Sequence, residues 1–297
     1  MPKQGELETM FQGQSLRALM GWFNPGTASA PARGESLTDL LHHSPPPLIN
    51  FPEGHGVLWS AKSGSKAVTF WYFTRIGLLE EASDYPQPGH PRPYQFQIDV
   101  VSQTPYYKEW LASADPLSLA WLRVIRDPYN RATSSYRHAL RHGYEDAKIE
   151  ACLKFSVEQR GLSFAEFLDY LLAIDIADCN RHHSEQWHPI EEHVALRKVI
   201  NLDRENLAEA LEAFEREIGL EPLATHLRAR MHEEWSRDSK RYHKRLEAES
   251  GAHAETRFTR EEAGDTWPGY EAFLSNDTRR KIERIYAKDF AAYANFL

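Results

Sequence analysis

Val57-Leu58-Trp59-Ser60-Ala61-Lys62-Ser63-Gly64-Ser65-Lys66-Ala67-Val68-Thr69 is the stretch from which the rest of the chain is read. Val57-Leu58-Trp59 is a compact apolar run of the kind that forms a buried strand, and Val68 to Leu79 is an aromatic and aliphatic run with helical character. Between them lies a short polar loop. In a strand, loop and helix of this kind, successive backbone N–H groups and the positive helix end form an anion cradle. Gly64 allows the tight turn, and Lys62 and Lys66 add charge. The loop is not a Walker A motif, which requires Gly-x-x-x-x-Gly-Lys followed by Ser or Thr. A polar surface turn that contains Lys and Gly is the other reading open at this point.

Working outward, Val124-Ile125-Arg126-Asp127-Pro128-Tyr129-Asn130-Arg131-Ala132-Thr133-Ser134-Ser135-Tyr136 repeats the theme. Trp121 to Ile125 reads as a strand, and Asp127-Pro128 supplies an N-cap followed by proline at the first helical position. Arg126 stands at the strand's end, and Arg131, Ser134 and His138 follow at spacings that share one helix face. A guanidinium at a strand edge can clamp two oxygens of a phosphate while a helix hydroxyl takes a third. The alternative is an Arg126 paired with a carboxylate and a Ser134 that only packs.

Tyr94 to Val101 and Val199-Ile200-Leu202 read as further strands. The helices are Phe164 to Leu172, Asn206 to Ile218 stopped by Gly219, and Asn276 to Phe296. Strands alternating with helices predict an α/β protein with a P-loop-like central parallel sheet flanked by helices. Residues 1–50, broken by Pro25, Gly26, Pro31, Gly34 and Pro45-Pro46-Pro47, read as an irregular segment with a short helix from Leu37 to His42 capped by Ser36. Residues 51–297 read as one α/β domain. No stretch of the 297 residues approaches the roughly 18 consecutive apolar residues of a membrane helix. A net charge of −8 argues against a nucleic-acid partner, which needs a broad basic field. Two cysteines, Cys152 and Cys179, leave no disulfide framework, and the N-terminus has no export signal, so the expected compartment is the cytoplasm.

Lys62-Ser63-Gly64-Ser65 and Arg126-Asp127-Pro128 with Arg131, Ser134 and Tyr136 resemble the two nucleotide-binding elements of sulfotransferases that use 3′-phosphoadenosine 5′-phosphosulfate (PAPS). The second element is similar to that of the carbohydrate sulfotransferase branch, approximately Arg-x-Pro-Tyr/Phe-x-Arg-x-x-Ser-x-Tyr. Leu162 to Tyr170, Trp187-x-Pro189, Val199 to Leu207 and the tail Ile285 to Phe290 extend the resemblance over roughly residues 55 to 297. It implies a sulfotransferase fold and a sulfuryl transfer from PAPS to a hydroxyl acceptor, a saccharide or glycoconjugate being the expected class. PAP, 3′-phosphoadenosine 5′-phosphate, is the nucleotide product.

By the same resemblance, Lys62, Ser63, Gly64, Ser65, Lys66 and Ala67 hold the 5′ end of the nucleotide, and Arg126 and Ser134 its 3′-phosphate. Lys62 is the candidate for stabilising the leaving group, and no metal is needed where lysines and backbone amides neutralise the charge. Many relatives place a basic His on the strand about twenty residues before the arginine; Val100 to Pro105 here has none. His90 lies where some glycan-sulfating relatives carry a catalytic carboxylate and is the first candidate for the base, ahead of Glu80, Glu81 and His55. His183, His188 and His193, five apart, are poorly spaced for zinc. Ile190 stands where glycan relatives commonly have Gln, and His253 to Glu262 lies where relatives often carry a loop over the adenosine. The charged stretch Glu233 to Glu249 reads as a solvated helix. The rival readings are a nucleotide- or glycan-binding protein that kept the fold and lost the base, and a P-loop kinase of small molecules.

Overall fold

The computed structural model describes residues 36–86, 92–113, 115–176, 179–223, 229, 244–246, 248–264 and 266–297. The central sheet has four strands in the order β1 (Leu48–Asn50), β2 (His55–Leu58), β3 (Ala120–Ile125) and β4 (Leu196–Asn201). β2, β3 and β4 run parallel, as the alternation of strands and helices predicts, whereas β1 pairs antiparallel with β2. The link between β1 and β2 is too short for a crossover helix, so only a hairpin can close it. Gly54, at φ 67°, makes that turn and donates its N–H to the Phe51 carbonyl at 3.1 Å. The sheet therefore begins before residue 51.

The helices are α1 (Leu37–Leu40), α2 (Ser65–Arg75), α3 (Leu79–Asp84), α4 (Pro93–Asp99), α5 (Pro105–Ser113), α6 (Pro128–His142), α7 (Asp146–Leu153), α8 (Val157–Arg160) and α9 (Phe164–Ala173), then α10 (Leu207–Glu217), α11 (Asn276–Ile285) and α12 (Ala287–Tyr293). Local chemistry sets several of their starts. Asp127 accepts from the N–H groups of Tyr129 and Asn130 at 2.8 and 3.3 Å, with Pro128 opening α6. Ser163 and Glu166 form a capping box on α9, as Ser36 and Asp39 do on α1.

Successive strand residues face opposite layers. Val57, Leu122, Val124 and Ile200 join Val68, Trp71, Phe73, Leu211 and Phe214 in one core, whereas Leu58 and Trp121 join Leu41, Ile49 and Ile190 on the other side. A further core holds Tyr136, Leu140, Phe164, Phe167, Phe273, Ile282 and Tyr286.

Three sequence expectations are corrected. Tyr94 to Val101 is not a strand: Pro93 opens α4, and the alternation of Tyr94, Phe96, Ile98 and Val100 that reads as extended is coincidental, since only Phe96 and Gln97 of this helix are buried. The tail is two helices rather than one, broken at Tyr286 (φ −109°, ψ 36°), whose buried hydroxyl donates to the His183 carbonyl at 2.9 Å. Most of Glu233 to Glu249 lies outside the described residues, and Lys244–Leu246 within it is a strand paired parallel with Thr266–Pro268.

The break at Tyr286 turns Asp289 into the interior, where it is fully buried. Its two oxygens accept from the Gln186 N–H at 2.8 and 3.0 Å, and one also accepts from the Trp187 N–H at 2.9 Å. Removing a buried acceptor leaves its donors unpaired, at a cost of about 1–3 kcal/mol each. Asp289→Ala is therefore expected to destabilise the chain by about 2–4 kcal/mol in urea unfolding. A loss below about 1 kcal/mol would show that water replaces the carboxylate without penalty.

Candidate functional site

The loop between β2 and α2 is held open from below. Lys62 and Gly64 both adopt left-handed backbone conformations, at φ 68° and 70°, on either side of Ser63. Such alternation turns successive N–H groups to one side and makes a concave nest for an anion. Gly64 is required twice over, by its φ and because a Cβ there would lie 2.5 Å from Leu202 Cδ1. No side chain caps α2 at Gly64, so the amides of its first turn are left for a ligand or water. Ser63 is buried, Ser65 half-buried and Lys66 exposed, while Ala67 is buried and packs α2 onto the sheet.

The second element meets this loop directly. Arg126 leaves the end of β3 and donates to the Tyr270 hydroxyl at 2.7 Å and to the Lys62 carbonyl at 3.4 Å, with Asp203 Oδ1 3.4 Å from its Nε. Its guanidinium also lies 4.8 Å from the Tyr270 ring centre. Arg131 is buried, donates from Nε to the Ala61 carbonyl at 3.0 Å, and leaves Nη1 and Nη2 without hydrogen-bond partners among the described residues. Ser134 is half-buried, and its hydroxyl makes no hydrogen bond to another described residue.

Gln186 joins the two elements. Its Oε1 accepts from Ser63 Oγ at 2.7 Å and from the Arg126 N–H at 2.9 Å, while its Nε2 donates to the Arg126 carbonyl at 2.8 Å. Nothing in local sequence pattern marks Gln186. Asp203 and Tyr270 likewise escape a reading of motifs, because each acts on Arg126 from a distant part of the chain.

The remaining candidates fall in different places. His90 lies outside the described residues. Glu80 and Glu81 open α3, while His55 begins β2 at the end of the strand away from the loop, buried beside Trp71 and Phe214, with Nδ1 3.8 Å from Glu53 Oε2 and neither ring nitrogen hydrogen-bonded among the described residues. Trp187 is half-buried with the Lys288 ammonium 4.5 Å from its ring centre. Ile190 is buried in the core with Leu41 and Trp121, so its difference from Gln changes packing rather than a surface. The segment 253–262 is latched to α9 by the Leu162–Phe258 bridge and by Arg257 on Glu166; just beyond it, Arg137 of α6 donates to the Ala263 and Gly264 carbonyls.

The histidines do not converge on a metal. His183 is buried against Ser135 and Phe167, His188 accepts from the Ile190 N–H at 3.3 Å, and His193 is exposed. Among the described residues no three or more His, Cys, Asp or Glu form a group suited to a metal ion. A different set does gather: His138 and His142, four apart on α6, lie against one another, and His138 also stacks on His182, a pairing that the spacing does not show.

Positive charge accumulates here although the chain is acidic overall. Burial pushes the Lys62 ammonium down to about 7, and Arg126, Arg137, Lys66 and Arg131 push it in the same direction. A lysine so depressed binds its proton less tightly folded than unfolded, near its ordinary 10.5. The unfolded chain thus holds more protons between about pH 7 and 10.5, and stability rises with pH across that window. Lys62→Met is therefore expected to raise the Tm of the ligand-free protein by a few degrees at pH 6, with the gain shrinking toward pH 10. An equal effect at both pH values would show that Lys62 is not ionised at a cost.

The arrangement has two cationic lobes, a nest whose Lys62 has no ion-pair partner among the described residues and, beside it, an oriented arginine. The model of the Sulfotransferase family matches residues 107–295, which takes in β3, α6 and the tail helices and begins after the loop at 60–65. No curated protein and no solved structure matches the chain. The family match spans well over half of the chain and contains Arg126, Arg131, Ser134, Gln186 and Asp289, so the chain belongs to the sulfotransferase family.

Proposed function

We propose that this sulfotransferase moves a sulfuryl group from PAPS to a hydroxyl of a saccharide or glycoconjugate. The observation that carries the donor is the junction made by Gln186, which binds the nest at Ser63 and the arginine lobe at Arg126 into one rigid surface. A nucleotide bearing phosphates at both its 5′ and 3′ positions matches two such lobes. Lys62, Ser63, Gly64, Ser65, Lys66 and Ala67 would hold the 5′ end, and Arg126 with Ser134 the 3′-phosphate. The donor supplies an activated bond between sulfur and a phosphate oxygen. Lys62, with no carboxylate among the charges that act most strongly on it, supplies positive charge where the leaving phosphate gains negative charge.

The saccharide acceptor rests on the form of the second element, Arg126-x-Pro128-Tyr129-x-Arg131-x-x-Ser134-x-Tyr136, which resembles the glycan branch. Two free cysteines support a reducing, cytoplasmic setting. Among the described residues no helix is long and apolar enough to cross a membrane.

The test is thermal unfolding with PAP. A ligand that binds only the native state at about a hundred times its Kd adds about 2.7 kcal/mol, a shift of several degrees in a chain of this size. Arg126→Ala is expected to abolish the shift, and ATP at the same concentration to give a smaller one. Lys62→Ala is expected to lower turnover about 100-fold or more while weakening PAP far less. An unchanged Tm at millimolar PAP rejects the donor.

A further inference from the structure

The histidines between α6 and residues 179–188 are not used by the donor site, yet their hydrogen bonds fix where every proton sits. The His182 backbone N–H donates to Asn180 Oδ1 at 3.1 Å, which identifies that atom as the amide oxygen. His182 Nδ1 lies 2.7 Å from the same oxygen, so it carries the proton and donates it. The neutral ring is left with its lone pair on Nε2.

A second chain begins at the His182 carbonyl, which can only accept. Ser135 Oγ, 2.5 Å away, directs its single proton there. His183 Nδ1, 2.5 Å from that hydroxyl, then donates to it. His183 Nε2 accepts from the Tyr144 hydroxyl at 3.4 Å, and the Tyr144 oxygen accepts from His138 Nδ1 at 2.9 Å. His138 therefore also has its lone pair on Nε2. The two rings stack with centroids 4.3 Å apart at 23°. Neither Nε2 has a hydrogen-bond partner among the described residues, and neither is a sealed, buried atom.

This pair sits at the donor site. Ser135, the residue next to Ser134, donates to the His182 carbonyl, and four residues on, Gln186 reaches Ser63 and Arg126. Burial pushes His182 down to about 3, and after burial Lys62 is the strongest charge acting on it, followed by Arg181, Arg131 and His142. His138 is depressed by burial and then by Lys62, His182, His142 and His183.

We propose that His182 Nε2 accepts the proton of the acceptor hydroxyl, with Asn180 as the positioning residue that fixes its tautomer and His138 stacked behind it; this rests on the sulfuryl-transfer reading above. The acceptor O–H bond breaks with its proton passing to Nε2. The freed electron pair on oxygen forms the new bond to sulfur, and the old sulfur–oxygen bond breaks with its pair going to the leaving phosphate. Buried and beside Lys62, the ring is a weak base. Anionic phosphates next to Lys62 cancel that field and raise the ring's proton affinity, so the donor switches on its own base.

The test is long-range ¹H–¹⁵N NMR of histidine-labelled full-length protein, with His182→Gln and His138→Gln supplying assignments. The expected result is the Nδ1–H tautomer at both positions at pH 7, and a His182 titration that moves up by about one pH unit or more on adding PAP. Asn180→Ala is expected to shift His182 to the Nε2–H form. His182→Gln is expected to keep PAP affinity within about threefold and, on a desulfated glycan acceptor, to lose about 100-fold or more in transfer. PAP binding that leaves His182 unmoved, or a wild-type His182 in the Nε2–H form, overturns this inference alone. Failure of PAP to bind at all overturns the donor reading and this inference with it.

Discussion

The side-chain amide of Gln186 sits between the two halves of the site with both ends occupied. Its oxygen takes the Ser63 hydroxyl and the Arg126 N–H, and its nitrogen gives a proton to the Arg126 carbonyl. Turning the amide over would set N–H against N–H and oxygen against carbonyl, so the orientation is determined. Because Gln186 is buried, no solvent can substitute for a lost partner without reorganising the loop. Its own position is set by Asp289, which grips the backbone at Gln186 and Trp187. The last helices of the chain therefore control the shape of the loop after β2, although the two never touch in sequence.

Around this junction the protein accepts an electrostatic cost. Buried cations without anions are destabilising, and Lys62 responds by weakening its hold on its proton. Arg126 is treated differently: Asp203, Tyr270 and the Lys62 carbonyl each take one edge of its guanidinium and hold it in place. Arg131 lies deeper, bracing Ala61 and passing 5.6 Å from the Tyr286 ring centre. One arginine is aimed and the other supports the loop, a division that identical side chains conceal in the sequence.

What could be read from the sequence follows the range over which each feature is determined. The cap and proline of α6, the strand before it and the loop at Lys62 to Ser65 are set within a few residues, and they stand where the pattern puts them. Tyr94 to Val101 failed because a period of two and a short helix give the same apolar residues when only one or two are buried. At the break the Tyr286 hydroxyl donates to the His183 carbonyl, and Gln186 acts on Ser63 from 123 residues away. Contacts of that range leave no periodicity behind. The row His182, His183, His188, His193 is silent for the same reason, since His182 finds its ring partner on α6.

The polyanion role proposed for this site constrains the base that can serve it. A carboxylate placed beside Lys62 would pair with it, fill the nest's charge and compete with phosphate. An imidazole does neither, because burial first, and then the positive field around Lys62, keep the ring neutral. Neutrality alone is insufficient, since a neutral imidazole has one lone pair and two places to put it. Asn180 and the chain from Ser135 to Tyr144 remove that ambiguity at His182 and His138. On the mechanism proposed above, the cationic nest and the oriented imidazoles act together: burial and Lys62 both lower the ring's proton affinity, and negative charge arriving at Lys62 would relieve the second of these.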